Sequence, residues 1–285
     1  MGSGMKRKLV FASVAALGLI TLLVLLASVA LRTPLLREWH RWRRTVDSDG
    51  VPMWLRYHRF EHPAFDFFRL RYASSGRGTA WATDYPAADV NLSERLRRST
   101  SLEVGEPKVV SFTELDVEKH RFTYVSANGQ FQLSEEEAGA LRTYLLAGGF
   151  LMVDDFWGGA EWDNFKAEIS KAFPEREPSE LPLEHPIFHC VFDLKEKPQV
   201  CSISIALAGR SEGITWERVD AKGAHYWAIL DDARRVMVVA CHNTDLADGW
   251  ERIDVDDFYY REFSQKKAFP MAFNIIYYAL THGRP

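Results

Sequence analysis

Gly148-Gly149-Phe150-Leu151-Met152-Val153-Asp154-Asp155-Phe156-Trp157-Gly158-Gly159 carries the clearest fold signal in the chain. Its centre, Phe150 to Val153, is apolar at every position rather than at alternate ones. That pattern marks a strand covered on both faces, as in a parallel sheet. Upstream, Ser134-Glu135-Glu136-Glu137 reads as a helix start, with Ser134 as N-cap and Glu137 as its reciprocal partner. Ala138, Leu141 and Leu145 recur at helical spacing, and Gly148-Gly149 closes the helix. Downstream, Asp154-Asp155 is expected to end the strand. A second helix is expected from about Ala160 to Phe173, with Trp162, Phe165, Ile169 and Ala172 on one side and Asp155 as a candidate cap.

Working outward, strands are expected at Phe67–Tyr72, Val109–Phe112, Phe122–Val125, near 200–207, near 226–231 and at Val236–Ala240. Asp89 reads as the cap of a short helix through Arg98. Phe269, Ala272, Phe273, Ile276 and Leu280 lie on one side of a last helix. Ser74–Gly78 reads as a loop. Strands alternating with helices imply an open or doubly wound α/β sheet. Aromatic residues at 13% of the chain support a packed core.

The N-terminal region is organised differently. Met1-Gly2-Ser3-Gly4, ahead of a second methionine, reads as a remnant of cloning outside the fold. After Lys6-Arg7-Lys8, an uncharged run extends from Leu9 to Leu31, long enough as a helix to span about 34 Å of hydrocarbon. A cleavable signal peptide, with Ser28-Val29-Ala30 as its cleavage site, is the rival. The run exceeds the usual length of such a segment, which favours an uncleaved anchor. Residues 32–64 form a stem in which Trp39, Trp42, Trp54 and Tyr57 alternate with Arg and His. It is either an interfacial belt or a helix packed on the domain. The expected organisation is therefore residues 1–8 as a basic terminus, 9–31 as a transmembrane helix, 32–64 as a juxtamembrane stem and 65–285 as the α/β domain.

The net charge of −4 conceals an asymmetry: residues 1–44 carry eight cations against Glu38 alone, so the remainder carries −11. The basic segment 9–44 suits anionic lipid headgroups. The acidic domain argues against nucleic acid, which needs a basic face. Cations flank the apolar run on both sides, and the charge rule alone leans toward a cytoplasmic domain. Cys190, Cys201 and Cys241 are too few for a disulfide scaffold and read as small buried hydrophobes, with a Cys190–Cys201 bond the alternative outside the cytoplasm.

In open α/β sheets ligands bind beyond the carboxyl ends of the strands. Polar residues gather there: Asp84, then Asp154, Asp155 and Trp157, then His242, Asn243 and Asp245, with Asp248 following. Asp84, Asp154, Asp155, Trp157, His242, Asn243 and Asp245 are the candidate ligand-binding residues. Asp154, Asp155 and His242 are candidate acid–base groups, and with Asp245 they form an alternative divalent-metal set. Their spacing fits no metal motif, and no cofactor is expected. A nucleophile elbow would need Ser or Cys directly after a central strand, where Asp154-Asp155 stands instead.

Trp81-Ala82-Thr83-Asp84-Tyr85-Pro86, Gly148-Gly149-Phe150-Leu151-Met152-Val153-Asp154-Asp155 and Cys241-His242-Asn243-Thr244-Asp245, in that order, resemble the bacterial domain-of-unknown-function family numbered 4159 over about residues 66–283. That family is similar to class I glutamine amidotransferases, which implies a mainly parallel, flavodoxin-like sheet with helices on both faces. The resemblance puts His242 near the amidotransferase histidine and Asp154-Asp155 in place of the nucleophilic cysteine. It thus implies a ligand-binding or scaffold module rather than glutamine hydrolysis, with a hydrolase or metal-dependent enzyme as the alternative. It also implies an export signal or anchor, so the domain is expected at the bacterial inner membrane, in the periplasm, with a protein partner or self-association there.

Overall fold

The computed structural model describes residues 65–73 and 79–282. The apolar run, the stem and the Ser74–Gly78 loop lie outside them. Among the described residues no helix is long and apolar enough to cross a membrane.

Among the described residues, seven strands form one sheet. They are β1 (Phe68–Arg71), β2 (Lys108–Ser111), β3 (Phe122–Ser126), β4 (Phe150–Phe156), β5 (Ser179–Glu180), β6 (His225–Leu230) and β7 (Val236–His242), in the order β2-β1-β3-β4-β7-β6-β5. The pairings from β2 through β7 are parallel, and β6 and β5 extend the sheet antiparallel. The helices are α1 (Ala87–Ser99), α2 (Glu135–Leu146), α3 (Gly158–Ala172), α4 (Ile203–Ala208), α5 (Leu246–Glu251), α6 (Asp257–Tyr259) and α7 (Phe269–His282), with a π-helical stretch at Tyr260–Ala268 leading into α7.

The continuous apolarity of β4 has the expected cause, since alternate residues enter two different cores. Met152 joins Phe67, Tyr124, Val239 and Cys241 beneath α1, α5 and α7, where Leu92, Trp250 and Ile276 cover them. Leu151 and Val153 join Leu70, Val125 and Ala240 beneath α2 and α3, where Leu141 and Phe165 cover them. Each fully buried Phe or Leu contributes roughly 1.5–3 kcal/mol, so these two layers outweigh any local propensity. The Ser134/Glu137 capping box is present, with Glu137 N donating to Ser134 Oγ at 3.2 Å and Ser134 N donating to Glu137 Oε2 at 2.9 Å.

Several local expectations are corrected. Residues near 200–207 are not a strand: Ile203–Ala208 is helical, and Val200 N instead donates to Thr244 Oγ1 at 2.9 Å. Asp89 does not cap α1; Pro86 occupies that position, and Asp89 is buried against Arg69. Asp154-Asp155 does not stop β4, which continues to Phe156 through a bulge. Nor does Asp155 cap α3. That helix end is closed by Asn243 Oδ1, accepting from Gly158 N at 2.8 Å, and by Asp220 Oδ2, accepting from Gly159 N at 3.0 Å. Cys190, Cys201 and Cys241 are free thiols, with Cys201 and Cys241 buried in the core.

Candidate functional site

The strands' carboxyl ends present two chemically distinct regions, one on each face of the sheet. On the α1/α7 face, Arg69 of β1 is fully buried. Its Nε donates to Asp89 Oδ2 at 2.9 Å, and its Nη1 donates to the carbonyls of Trp81 and Thr83 at 3.1 and 3.0 Å. The guanidinium lies 4.7 Å from the centre of the Tyr124 ring. A buried guanidinium must be paired to be tolerated, and here pairing also fixes the loop before α1. Asp84 follows on that loop with φ of 61°, a left-handed conformation a non-glycine residue adopts only when its surroundings hold it there.

Asp84 meets two carboxylates from the start of α5: oxygens of Asp84, Asp245 and Asp248 all lie within 4.8 Å of one another. Asp245 caps α5, its Oδ1 accepting from Asp248 N at 3.0 Å. Asp154 reaches the same turn from β4, with its Oδ2 accepting from Ala247 N at 3.1 Å and from Tyr124 Oη at 3.5 Å. Asp155 Oδ2 accepts from Ser126 Oγ at 3.0 Å. Asp154 is 0% exposed, and Asp155, Asp245 and Asp248 are buried as well. Asp84 Oδ2 and Asp154 Oδ1 are buried without a hydrogen-bond partner.

Burial dominates the titration of these groups. It pushes Asp84 up to about 7, with Asp248 and Glu251 adding to it, and Asp248 up to about 6, against the pull of Arg252. Asp154 is pushed up to about 8 by burial, against hydrogen bonds from the amides of Ala247, Asp155 and Leu246. Asp155 and Asp245 are also raised well above the carboxylate range by burial, then by neighbouring aspartates. Their compensation is partial: Arg69 is committed to Asp89, and Arg252 Nε pairs with Asp248 at 3.7 Å but lies closer to Glu251, at 2.6 Å.

His242 lies on the other face. The register pairs Val153 with Ala240, which without the bulge would set Asp155 beside His242; the bulge pairs Phe156 with His242 instead. Phe156 and Trp162 each stack on the imidazole at 5.2 Å, and His225 stacks at 5.9 Å. His242 Nε2 sits 3.1 Å from the Gly158 carbonyl, which only accepts, so Nε2 carries the proton. Nδ1 is buried without a partner. Burial lowers the His242 pKa, with His225 adding to it.

Of the residues expected to form one site, the structure thus brings together Asp84, Asp154, Asp155 and Asp245. It sets His242 apart from them. Trp157 is buried under the α1/α7 face, and Asn243 is spent on Gly158 N and on the Gly223 carbonyl. Arg69 and Asp89 are not among the residues expected there, and Asp248, though one of the polar residues noted at the strand ends, is not among the candidate binding residues. The Asp245-x-x-Asp248 spacing, with a carboxylate at the cap and another three residues on, was the available signal for Asp248. No local signal ties Arg69 to Asp89. A separate apolar concavity of about 660 Å³ lies between the ends of α1 and α7, lined by Leu96, Leu102, Val191, Phe273 and Tyr277, and none of the carboxylates lines it.

No curated protein matches the chain. The profile of the family described as a domain of unknown function, DUF4159, matches residues 66–280, and the chain belongs to that family.

Proposed function

We propose that the domain is a ligand-binding module, held at the bacterial inner membrane by residues 9–31 with its α/β part in the periplasm, and that its crevice takes a positively charged group. The observation that carries the reading is the gathering of Asp84, Asp154, Asp155, Asp245 and Asp248 at one sheet edge, with two buried oxygens unpartnered. Incompletely compensated buried carboxylates are costly, and a bound cation removes the cost.

Position supports the same reading. The order β2-β1-β3-β4 is that of flavodoxin-like sheets, whose ligands sit where strand order reverses, between β1 and β3. Asp155, with φ of 60°, lies in the bulge near the end of β4, in the stretch where the resemblance to amidotransferases places their cysteine. A carboxylate there supports binding over acyl transfer. The metal-dependent hydrolase using Asp154, Asp155 and His242 gains no support, because His242 stacks among aromatic rings on the opposite face.

The test is thermal unfolding of the full chain in detergent with arginine, spermidine and divalent chlorides. At least one is expected to raise Tm in the wild type and not in D154N. If none does so, the binding reading fails. For topology, alkaline phosphatase fused after Pro285 is expected to be active; an inactive fusion overturns the periplasmic side.

A further inference from the structure

The carboxylate crevice allows its ligand to be specified more narrowly. Three carboxylate oxygens, from Asp84, Asp245 and Asp248, lie within 4.8 Å of one another. Oxygens bound to one Ca²⁺ stand about 2.3–2.6 Å from it, so two of them can be separated by up to about 5 Å. Separations under that limit leave room for one such ion among the three oxygens.

A fourth side chain, outside that trio, points the same way. Asp154 is 0% exposed, and its Oδ1 has no partner. Its Oδ2 is held by the amide of Ala247, in the turn between Asp245 and Asp248, so the carboxylate faces that turn. Asp84 Oδ2 is likewise buried and unpartnered. The scaffold therefore holds one oxygen of Asp154, through Ala247 N and Tyr124 Oη, and one of Asp245, through Asp248 N. Supporting hydrogen bonds of this kind orient metal ligands in proteins.

The donors are oxygen only. His242 is on the opposite face and no thiol belongs to the group. Such a set suits hard cations, Ca²⁺, Mn²⁺ or Mg²⁺, over zinc or copper.

We infer that Asp84, Asp245 and Asp248, with the buried carboxylate of Asp154 behind them, form a binding site for one hard divalent cation, an inference that rests on the reading of the crevice as a cation-binding site. The full chain in detergent, stripped with EDTA, is titrated with CaCl₂ by calorimetry and with MnCl₂ by electron paramagnetic resonance. One site per chain is expected, weakened at least tenfold in D84N and in D248N and unchanged in D116N, which alters a carboxylate outside the crevice. Far-UV circular dichroism checks each variant's fold. D248N supplies the decisive variant should D84N not fold.

Spermidine is titrated in parallel. Spermidine binding without Ca²⁺ or Mn²⁺ binding overturns the metal site and leaves the wider cationic reading standing. Absence of all three overturns both. Metal binding that D84N and D248N leave intact overturns the assignment of these residues.

Discussion

The two faces of the sheet's carboxyl edge solve opposite problems with neighbouring residues. On the α1/α7 face, carboxylates are gathered where water is scarce, and only partial compensation is built in. On the α2/α3 face, a neutral imidazole is buried among Phe156, Trp162 and His225, and one ring nitrogen is satisfied by a carbonyl. Cys241 and His242 are adjacent in β7 yet belong to different faces, because strand side chains alternate. The comparison teaches that polar character at a strand end is no guide to a shared site until register and parity are known. One face spends its polar groups on packing, whereas the other keeps oxygens in reserve.

Removing the cation that organises the carboxylate face should have the largest effect. Arg69→Met leaves Asp89 buried without its partner and frees the loop that carries Asp84. Removing one member of a buried pair costs about 3–5 kcal/mol, read as a fall in the urea midpoint. A second substitution, Asp89→Leu, in the Arg69→Met background is expected to recover part of the loss. Equal losses in single and double variants would show that the pair itself is not what holds the loop.

The second test uses acid. Burial raises Asp154 to about 8 and Asp84 to about 7 from a value near 3.8. The folded state therefore holds protons that the unfolded chain has already released. Stability of EDTA-treated protein is fully present below about pH 3.8 as far as these groups are concerned, and it is lost as pH rises toward about 8. Each group titrating this way contributes ~1.4 kcal/mol per pH unit up to its folded pKa, so Asp154 and Asp84 together are expected to lose roughly 4 kcal/mol between pH 6 and 8. Asp154→Asn should flatten the profile. A midpoint that rises with pH in that range would contradict the assigned burial.

Much of the scaffold around this contrast was legible. The Ser134/Glu137 box, the continuous apolar run of β4 and the spacing from Phe269 to Leu280 are local signals, and each element forms where its residues indicate. What was illegible depends on partners distant in sequence. The Cys201-Ser202-Ile203-Ser204-Ile205 alternation imitates a strand, but Ser202 and Gly209 bracket a short helix, and the neighbouring chain is tied to Thr244 and Tyr259. Asp89 looks like a cap because caps are local, whereas its partner Arg69 is twenty residues away. The bulge at Asp154-Asp155 shifts register and so moves His242 away from Asp155. No residue in that stretch announces it.

A third test compares two glycines. A Cβ on Gly249 would sit 2.4 Å from Ala268 Cβ, because α5 is pressed against the π-helical stretch. Gly249→Ala must displace α5, and with it Asp245 and Asp248, for about 1–3 kcal/mol of overpacking. Gly159, in the first turn of α3, has open space at the same position. Gly159→Ala is expected to change the melting temperature little while Gly249→Ala lowers it. Equal responses would deny that the carboxylate face depends on this close approach.

The smallest effect belongs to His242, and it should run against the carboxylates. Burial lowers its pKa below the ordinary 6.5, so the unfolded chain takes up the proton first as pH falls. The neutral ring contributes stability that is complete above about pH 6.5 and is lost as pH falls through that value toward the folded pKa. His242→Phe keeps the stack with Phe156 and Trp162 but removes both the titration and the hydrogen bond to the Gly158 carbonyl. At pH 7.5 the lost hydrogen bond is expected to cost about 1 kcal/mol. That deficit should shrink by pH 5, where the wild type carries the penalty of a histidine its fold keeps neutral. The wild-type profile is then the sum of two opposed slopes, and Asp154→Asn and His242→Phe should each expose the other's. If His242→Phe is more destabilised in acid than in base, the imidazole is charged in the folded protein, and the division of the edge into an acidic face and a neutral one is wrong.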